Sequence, residues 1–378
     1  MMNEILLIEK NPKFEGLYSL NLRIYLDVVI HAKKKTEFAK NFLEKSEGTP
    51  SMIIVRSVID KEESAFEIFN YLQEKGLEIP IVVLGYDKRL EGKVEFIHSG
   101  LNLKDLLKSA AKALKVSAKE MATKVVPEHF PIPVNYFLEI NSSVCDIFEQ
   151  DIDDEASFSV KIPKGEVCES SLIKEYVSSG IAQLYVNKYD RLKFVNSVTN
   201  EMVVNLDSKE LNKHERIHLS ERSINLVKEK IALHGMGVEA DEAIKESLKN
   251  VVNVTRSSPS IKSLLKKLLS NKMSYLYKHS QILAYISLNI AKKMEWSTKE
   301  QEDKLSFVSF FHDIVLETDE EAKITSDKEL KVSTLSEDAI KRVQNHAQIA
   351  AELSIKCSNA PHGVDVIIRQ HHGIAHGV

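Results

Sequence analysis

The chain has 378 residues, of which 43% are hydrophobic and 28% charged, and its formal net charge is −4. This length predicts two or three domains, and the hydrophobic fraction is sufficient for folded cores. The slightly acidic balance provides no basic surface for duplex nucleic acid or for an anionic membrane surface. We therefore expect neither as a partner, and no apolar run approaches the ~20 residues needed to span a bilayer.

Targeting signals and disulfides are not predicted either. The N-terminus lacks a basic segment followed by an apolar one, and Glu4 and Glu9 come early, so we expect no signal peptide. The three cysteines, Cys145, Cys168 and Cys357, are odd in number and far apart. This usage is typical of reduced thiols rather than of a disulfide framework. A cytoplasmic protein is predicted.

Residues 1–118 alternate short aliphatic runs with segments of helical periodicity. The runs are 5–8, 52–55 and 81–84. Their length and their polar or turn-forming boundaries are typical of strands buried on both faces of a parallel sheet. Between the runs, apolar residues such as Leu103 and Leu106 recur at helical spacing. The alternation predicts a doubly wound α/β domain with right-handed crossovers.

Two positions of this region carry a resemblance to a known domain. The first predicted strand is followed by Glu9-Lys10, and the third ends in Arg56. The region resembles a response-regulator receiver domain, in which carboxylates after the first strand hold Mg²⁺ beside a phosphorylatable Asp after the third. Arg56 cannot accept a phosphoryl group, and its cation would oppose Mg²⁺. We expect a pseudo-receiver used for packing or dimerisation, with a working phosphoreceiver as the alternative and Asp60 and Asp87 as solvated loop residues.

Residues 119–205 predict a small α+β module with antiparallel strands. An extended stretch at 130–134 and an alternating run at 158–162 are followed by a Pro-Lys-Gly turn. A helical segment then precedes a strand at 182–186, and 192–195 is predicted as a closing strand. This order resembles an accessory domain found ahead of certain signalling phosphodiesterases. The acidic residues between the first two strands are predicted to be a solvated face; they are Asp151, Asp153, Asp154 and Glu155.

Residues 206–378 predict an all-α bundle. Apolar residues follow the spacing of amphipathic helices, and Gly and Pro are scarce outside the connections. In one of these helices, Ile282, Leu283, Ile286 and Ile290 are predicted to form the buried stripe.

Six candidate metal ligands are predicted on the inner faces of four successive segments of this bundle. They are His279, His312, Asp313, His346, His371 and His372. Such groups are costly to bury unless they are paired or coordinated, and imidazole and carboxylate suit first-row transition metals. A single buried histidine is more often a hydrogen-bonded core residue, but five beside one Asp favour a metal site. Six ligands exceed the need of one tetrahedral ion and predict a two-metal centre suited to phosphoester hydrolysis.

At these six positions the chain resembles the HD-GYP family, cyclic di-GMP phosphodiesterases within the HD superfamily of metal hydrolases. The family pattern is a His, a His-Asp pair, a third His and a His-His pair before a loop ending Gly-Tyr-Pro, and the resemblance covers residues 270–378. It implies an HD-type bundle whose six residues bind two divalent ions, iron first and manganese second. It also implies that Asp313 bridges the ions and helps to activate a water, which hydrolyses cyclic di-GMP to the linear dinucleotide. Signalling proteins and a second copy of the chain are the further partners that we expect.

Four positions depart from the family pattern. Leu316 occupies the place of a lysine that would touch the substrate phosphate, and Tyr275 replaces a Glu, which favours two metals over three. His376 stands where an Asp is typical. The sequence stops at Val378, where Gly-Tyr-Pro would begin, so we expect an atypical GYP region with the following helices missing.

Three hypotheses about function follow. The first is a cyclic di-GMP phosphodiesterase regulated by two N-terminal modules, and the second is a weak or inactive relative that binds cyclic di-GMP or a protein partner. The third is a hydrolase of the wider HD superfamily that acts on another nucleotide. The complete ligand set favours an enzyme, whereas the absent lysine favours the second hypothesis.

Overall fold

The computed structural model describes residues 3–45, 49–117, 126–151, 154, 156–206, 211–270, 273–295 and 297–372. The chain divides into two compact units, Met1–Glu215 and Arg216–Val378. No helix in the described ranges is both long enough and apolar enough to cross a bilayer.

The first unit contains a five-stranded parallel sheet with the order β2-β1-β3-β4-β5. Its strands are β1 Glu4–Ile8, β2 Val29–Lys33, β3 Met52–Arg56, β4 Ile81–Leu84 and β5 Glu95–Ile97. The aliphatic residues of β1, β3 and β4 are buried on both faces of the sheet. This order is one of the common doubly wound arrangements, with a topological switch point between β1 and β3. The predicted parallel α/β sheet is confirmed.

Helices pack in pairs on this sheet. They are α1 Pro12–Leu26, α2 Thr36–Lys45, α3 Ser64–Lys75 and α4 Leu103–Ala113. Helix α1 packs with α4, and α2 packs with α3. Helix α1 begins as its sequence indicates, because the Asn11 side chain caps it and Pro12 occupies its first turn.

A second sheet follows within the same unit, with antiparallel strands in the order β6-β9-β7-β8. Its strands are β6 His129–Pro133, β7 Ile147–Gln150, β8 Phe158–Ile162 and β9 Gln183–Asn187, accompanied by α5 Ser170–Ser178 and α6 Arg191–Val204. The predicted turn after β8 is present, since the Glu166 amide donates to the Pro163 carbonyl at 3.1 Å. Gly165 in that turn has a φ of +87°, which favours glycine.

The predicted closing strand at 192–195 is wrong, because these residues lie in α6. This helix is buried around most of its circumference, including polar residues such as Thr199 and Asn200. It therefore lacks the polar face by which an amphipathic helix is recognised in a sequence.

The prediction of solvated loop residues is correct for some of these residues and wrong for one. Asp60 is exposed and pairs with Lys10 at 2.6 Å, as expected of a loop residue. For Asp87 the prediction is wrong: its side chain is only 12% exposed, pairs with Arg89 and caps a short 3₁₀ turn. Asp151 and Asp154 are exposed. The other two acidic residues, Asp153 and Glu155, lie outside the described residues.

Residues from both predicted N-terminal domains, 1–118 and 119–205, form one compact unit. Helix α1 packs against α6 as well as α4, and the buried Asn21 amide donates to the Thr199 hydroxyl at 3.0 Å. A helix with two buried faces links the two sheets, and the compact unit extends to Glu215.

The second unit is helical throughout its described residues, as predicted. Its helices are α7 Lys213–His234, which begins in the first unit, α8 Val238–Arg256, α9 Ile261–Ser270, α10 Tyr275–Ala291, α11 Lys299–Phe311, α12 Asp319–Ala322, α13 Asp327–Lys331, α14 Glu337–Lys356 and α15 Val364–Arg369. Its core is built from large apolar residues of several helices, with Tyr277, Phe307 and Phe311 almost fully buried. All three cysteines of the chain are buried.

The predicted buried stripe of α10 is wrong for two of its four residues, whereas Ile282 is partly buried and packs against the core. Ile286 and Ile290 are 43% and 52% exposed, and the buried face includes Gln281, Ala284 and Leu288 instead. Apolar residues cover almost the whole circumference of this helix, so their spacing alone does not identify the buried side. Gln281 is buried because its amide donates to a backbone carbonyl and a hydroxyl of α8.

Candidate metal centre

Four segments of the second unit bring all six predicted ligands into one cluster. Helix α10 supplies His279, the end of α11 supplies His312 and Asp313, α14 supplies His346, and the turn after α15 supplies the last pair, His371 and His372. Two subsets, His279–His312–Asp313 and His346–His371–His372, each have their donor atoms within 4.8 Å of one another.

The start of α10 is fixed by side chains that bind its free amides. The Ser274 hydroxyl accepts from the Tyr277 amide. Asp319 accepts from the amides of Tyr275 and Leu276 at 2.7 and 3.3 Å. These bonds satisfy donors that have no partner within the helix, so the second turn, which carries His279, is held in place.

Two ligands directly follow the buried end of helix α11, with His312 as its C-cap and Asp313 next in the chain. A capping box between Thr298 and Gln301 begins the helix. The last turns are buried, with Phe307 and Phe311 almost inaccessible. A tight turn follows, in which the Leu316 amide donates to the Asp313 carbonyl at 3.0 Å. The polar pair is thus presented inside the unit rather than at its surface.

Helices α14 and α15 present the remaining three histidines. His346 lies mid-helix in α14 and is 8% exposed. Gly363, at a φ of +78°, precedes α15 and permits the left-handed turn from which this short helix starts. Val364 and Ile368 anchor α15 in the core, which positions the following His371-His372.

The first subset closes around one oxygen of Asp313. The Nε2 atoms of His279 and His312 are 3.1 Å apart. Asp313 Oδ2 lies 3.2 Å from His312 Nε2 and 3.9 Å from His279 Nε2. Two imidazole nitrogens and one carboxylate oxygen therefore converge on one small volume.

The second subset faces the other oxygen of the same carboxylate. His346 Nε2 lies 3.2 Å from His371 Nε2 and 2.9 Å from His372 Nε2. Asp313 Oδ1 is 3.5 Å from His346 Nε2 and 3.8 Å from His371 Nε2. Asp313 thus stands between two groups of imidazoles and offers one oxygen to each.

Backbone carbonyls fix which nitrogen of three rings faces the cluster. The Nδ1–H groups of His346 and His371 donate to the carbonyls of Val343 and Ile368, each at 2.6 Å. His312 Nδ1 donates to the Val308 carbonyl at 3.2 Å. A carbonyl can only accept, so the neutral form of each ring carries its proton on Nδ1 and directs the Nε2 lone pair at its neighbours, whereas the protonated form also donates from Nε2.

This arrangement fits a bound cation. Two bare nitrogens 3.2 Å apart, as in His346 and His371, repel each other unless a positive charge lies between them. One proton would satisfy one such contact, whereas a metal ion can be shared by all the donors of a subset. Ligating histidines characteristically donate their other N–H to a carbonyl, and this donor set suits zinc, iron or manganese.

The electrostatics keep the donors ready to bind a metal. Burial by itself raises the pKa of Asp313, but the hydrogen bond and charge of His312 and the charge of His346 hold that pKa well below its usual range. Burial lowers the pKa of His279, and His312 lowers it further. At neutral pH the carboxylate is ionised and His279 is neutral, which are the ligand forms.

The stability of the metal-free protein should fall between pH 6.5 and about 4. Burial lowers the pKa of His371 from 6.5 to about 4, although its bond to the Ile368 carbonyl opposes the shift. Between these values the unfolded chain binds more protons, so this contribution is complete above pH 6.5 and is lost as pH falls. Urea unfolding of metal-free protein measures the slope. His371→Gln should flatten it, whereas His362→Gln, at an exposed turn, should not; equal slopes in all three proteins would contradict this assignment.

A cavity of about 250 Å³ opens beside the second subset. Its walls include His346 and His372 together with Thr325, Asp327 and Gln344. This volume is close to the lower end of small-ligand sites, so a phosphate-sized group can reach the cluster from this side. His362 is exposed, whereas His376 lies outside the described residues.

Searches of protein-family models, of curated proteins and of solved structures find no match for this chain.

Proposed function

We propose that the second unit is a metal-dependent phosphodiesterase with a binuclear centre. The observation that carries this proposal is the position of Asp313, whose two oxygens face two separate groups of imidazoles. A carboxylate in this position can be shared by two ions. Two such ions, when bound, would activate a water and neutralise the charge that develops on the phosphoryl oxygens.

The chain's own residues hold and orient this centre. His279 and His312 would bind one ion, His346, His371 and His372 the other, and Asp313 would be shared. The carbonyl partners of the Nδ1–H groups fix the ring orientations before metal binds. Burial of Asp313 and His312, 7% and 3% exposed, limits competing water and strengthens the electrostatic interactions of the site.

The proposed substrate is cyclic di-GMP, and the proposed metals are iron first and manganese second. The order of the six ligands along the chain, which resembles the HD-GYP pattern, supports both. We further propose that the second unit is an HD-type bundle and that the first unit has a regulatory role. In this proposal the first unit is the pseudo-receiver of a cytoplasmic, homodimeric signalling protein. The sheet order of the first unit and its Arg56 at the end of β3 support that role.

A receptor that binds cyclic di-GMP or a protein partner without hydrolysing it is the second candidate. Its specific support is Leu316, an apolar residue at the position where the family has a substrate-binding lysine. In this case the metal cluster would stabilise the helical unit and provide the ligand site without turnover.

The two candidates separate in one experiment on anaerobically purified protein. We expect two iron or manganese ions per chain and, on the same sample, conversion of cyclic di-GMP to the linear dinucleotide. Two metals without turnover would favour the receptor. The absence of metal would contradict the binuclear centre.

A further inference from the structure

The ammonium of Lys228 binds the turn that follows Asp313, although this residue precedes the first ligand by about fifty positions. Lys228 is on α7, and its Nζ donates to the Leu316 carbonyl at 2.5 Å. Leu316 closes the turn that begins at Asp313. The cation is therefore placed next to the loop that carries the shared carboxylate.

Burial outweighs the carboxylates near this ammonium, so its charge is only partly compensated. Burial lowers the pKa of Lys228 to about 8, and four carboxylates oppose this shift: Asp313 most strongly, then Glu321, Glu317 and Asp319. In the described residues its one hydrogen-bond acceptor is the neutral Leu316 carbonyl. A half-buried cation with a single neutral acceptor lowers the stability of the fold. Buried groups with such shifted pKa values are often found at functional sites.

Metal binding increases the net positive charge around Lys228. Two divalent ions held by five neutral imidazoles and one carboxylate leave a strongly positive centre, and Lys228 adds a further positive charge to it. Repulsion between the ammonium and the ions is offset if an anion lies between them. A phosphate group has several oxygens, so it can contact the ions and accept a hydrogen bond from an ammonium at the same time.

We propose that Lys228 binds a non-bridging phosphate oxygen of the ligand at the metal centre. The inference rests on the proposed function in so far as it requires bound metal and a phosphate-containing ligand. Helix α7 carries none of the metal ligands, and in this proposal it contributes directly to recognition of the substrate phosphate.

The affinity of the metal-loaded protein for inorganic phosphate, measured by calorimetry, tests this role without turnover. Lys228→Met should weaken phosphate binding by about 10-fold or more, the value of a charge-assisted hydrogen bond, with the metal content per chain unchanged. Lys228→Arg retains the charge and should keep most of the affinity. The control is Lys249→Met, because Lys249 is 65% exposed and pairs with Glu246 on the same helix, α8; it should bind phosphate like the wild type.

Three outcomes overturn the proposal: equal phosphate affinity of wild type and Lys228→Met, loss of metal in both Lys228 variants, or a metal-loaded wild type that binds no phosphate. Turnover of cyclic di-GMP by the wild type reports separately on the proposed function. Phosphate binding that depends on Lys228 in a protein without turnover would support the lysine and contradict the phosphodiesterase.

Discussion

Asp313→Asn should yield a folded protein that binds metal at least about 100-fold more weakly and has no measurable phosphodiesterase activity. Loss of an outer-shell partner alone costs 10–100-fold in metal affinity or activity, and Asp313 is the one carboxylate of the cluster, facing both groups of imidazoles. Asn keeps the shape but removes the charge and one donor oxygen. The affinity for both ions should therefore fall together, rather than the affinity for one of them alone.

Metal content per chain and cyclic di-GMP turnover, measured on the same preparation, check this result. The matched control is Asp303→Asn on α11, the helix that precedes Asp313, because Asp303 is 51% exposed and pairs with Lys299 at the surface. It should retain metal and activity. If Asp313→Asn lost one ion and kept the other at wild-type affinity, Asp313 would belong to a single ion, and the binuclear arrangement proposed here would be wrong.

The convergence of the six ligands was predictable from the sequence, but their division into two groups was not. Five histidines and an Asp on successive apolar segments favour a shared centre, because each is costly to bury without a partner. Which oxygen of Asp313 faces which ring depends on how α10, α14 and α15 cross α11. That geometry is set by tertiary packing, and the spacing of the ligands along the chain gives no information about it.

The wrong predictions for two helices share a physical cause. Helix α6 and helix α10 have little contrast between their faces, so periodicity identified neither the element at 192–195 nor the buried side of α10. Strands such as β4 were predicted correctly because continuous aliphatic runs are short and sharply bounded. The contacts of Lys228 with Leu316 and of Arg56 with Glu215 join residues 88 and 159 positions apart, and no local pattern indicates them.

Arg56→Met should destabilise the first unit by about 3–5 kcal/mol, the usual cost of removing one partner from a buried ion pair. Arg56 Nε donates to Glu9 at 2.7 Å and Nη1 to Glu215 at 3.3 Å, and both carboxylates are 2% exposed. A third donor contacts the Tyr18 hydroxyl at 3.3 Å. Without the guanidinium, two carboxylates remain buried close together and uncompensated. Urea unfolding followed by a signal from the first unit measures the loss.

The companion variant Glu9→Gln/Arg56→Met/Glu215→Gln separates charge from packing. It removes all three charges together, so it should recover most of the stability that Arg56→Met loses, because neutral replacement of a buried ionic group is often tolerated. Equal stability of Arg56→Met and wild type would show that the network contributes little to folding. Recovery in the triple variant would instead support Arg56 as a structural cation at the end of β3, the position at which a receiver domain carries its phosphoacceptor.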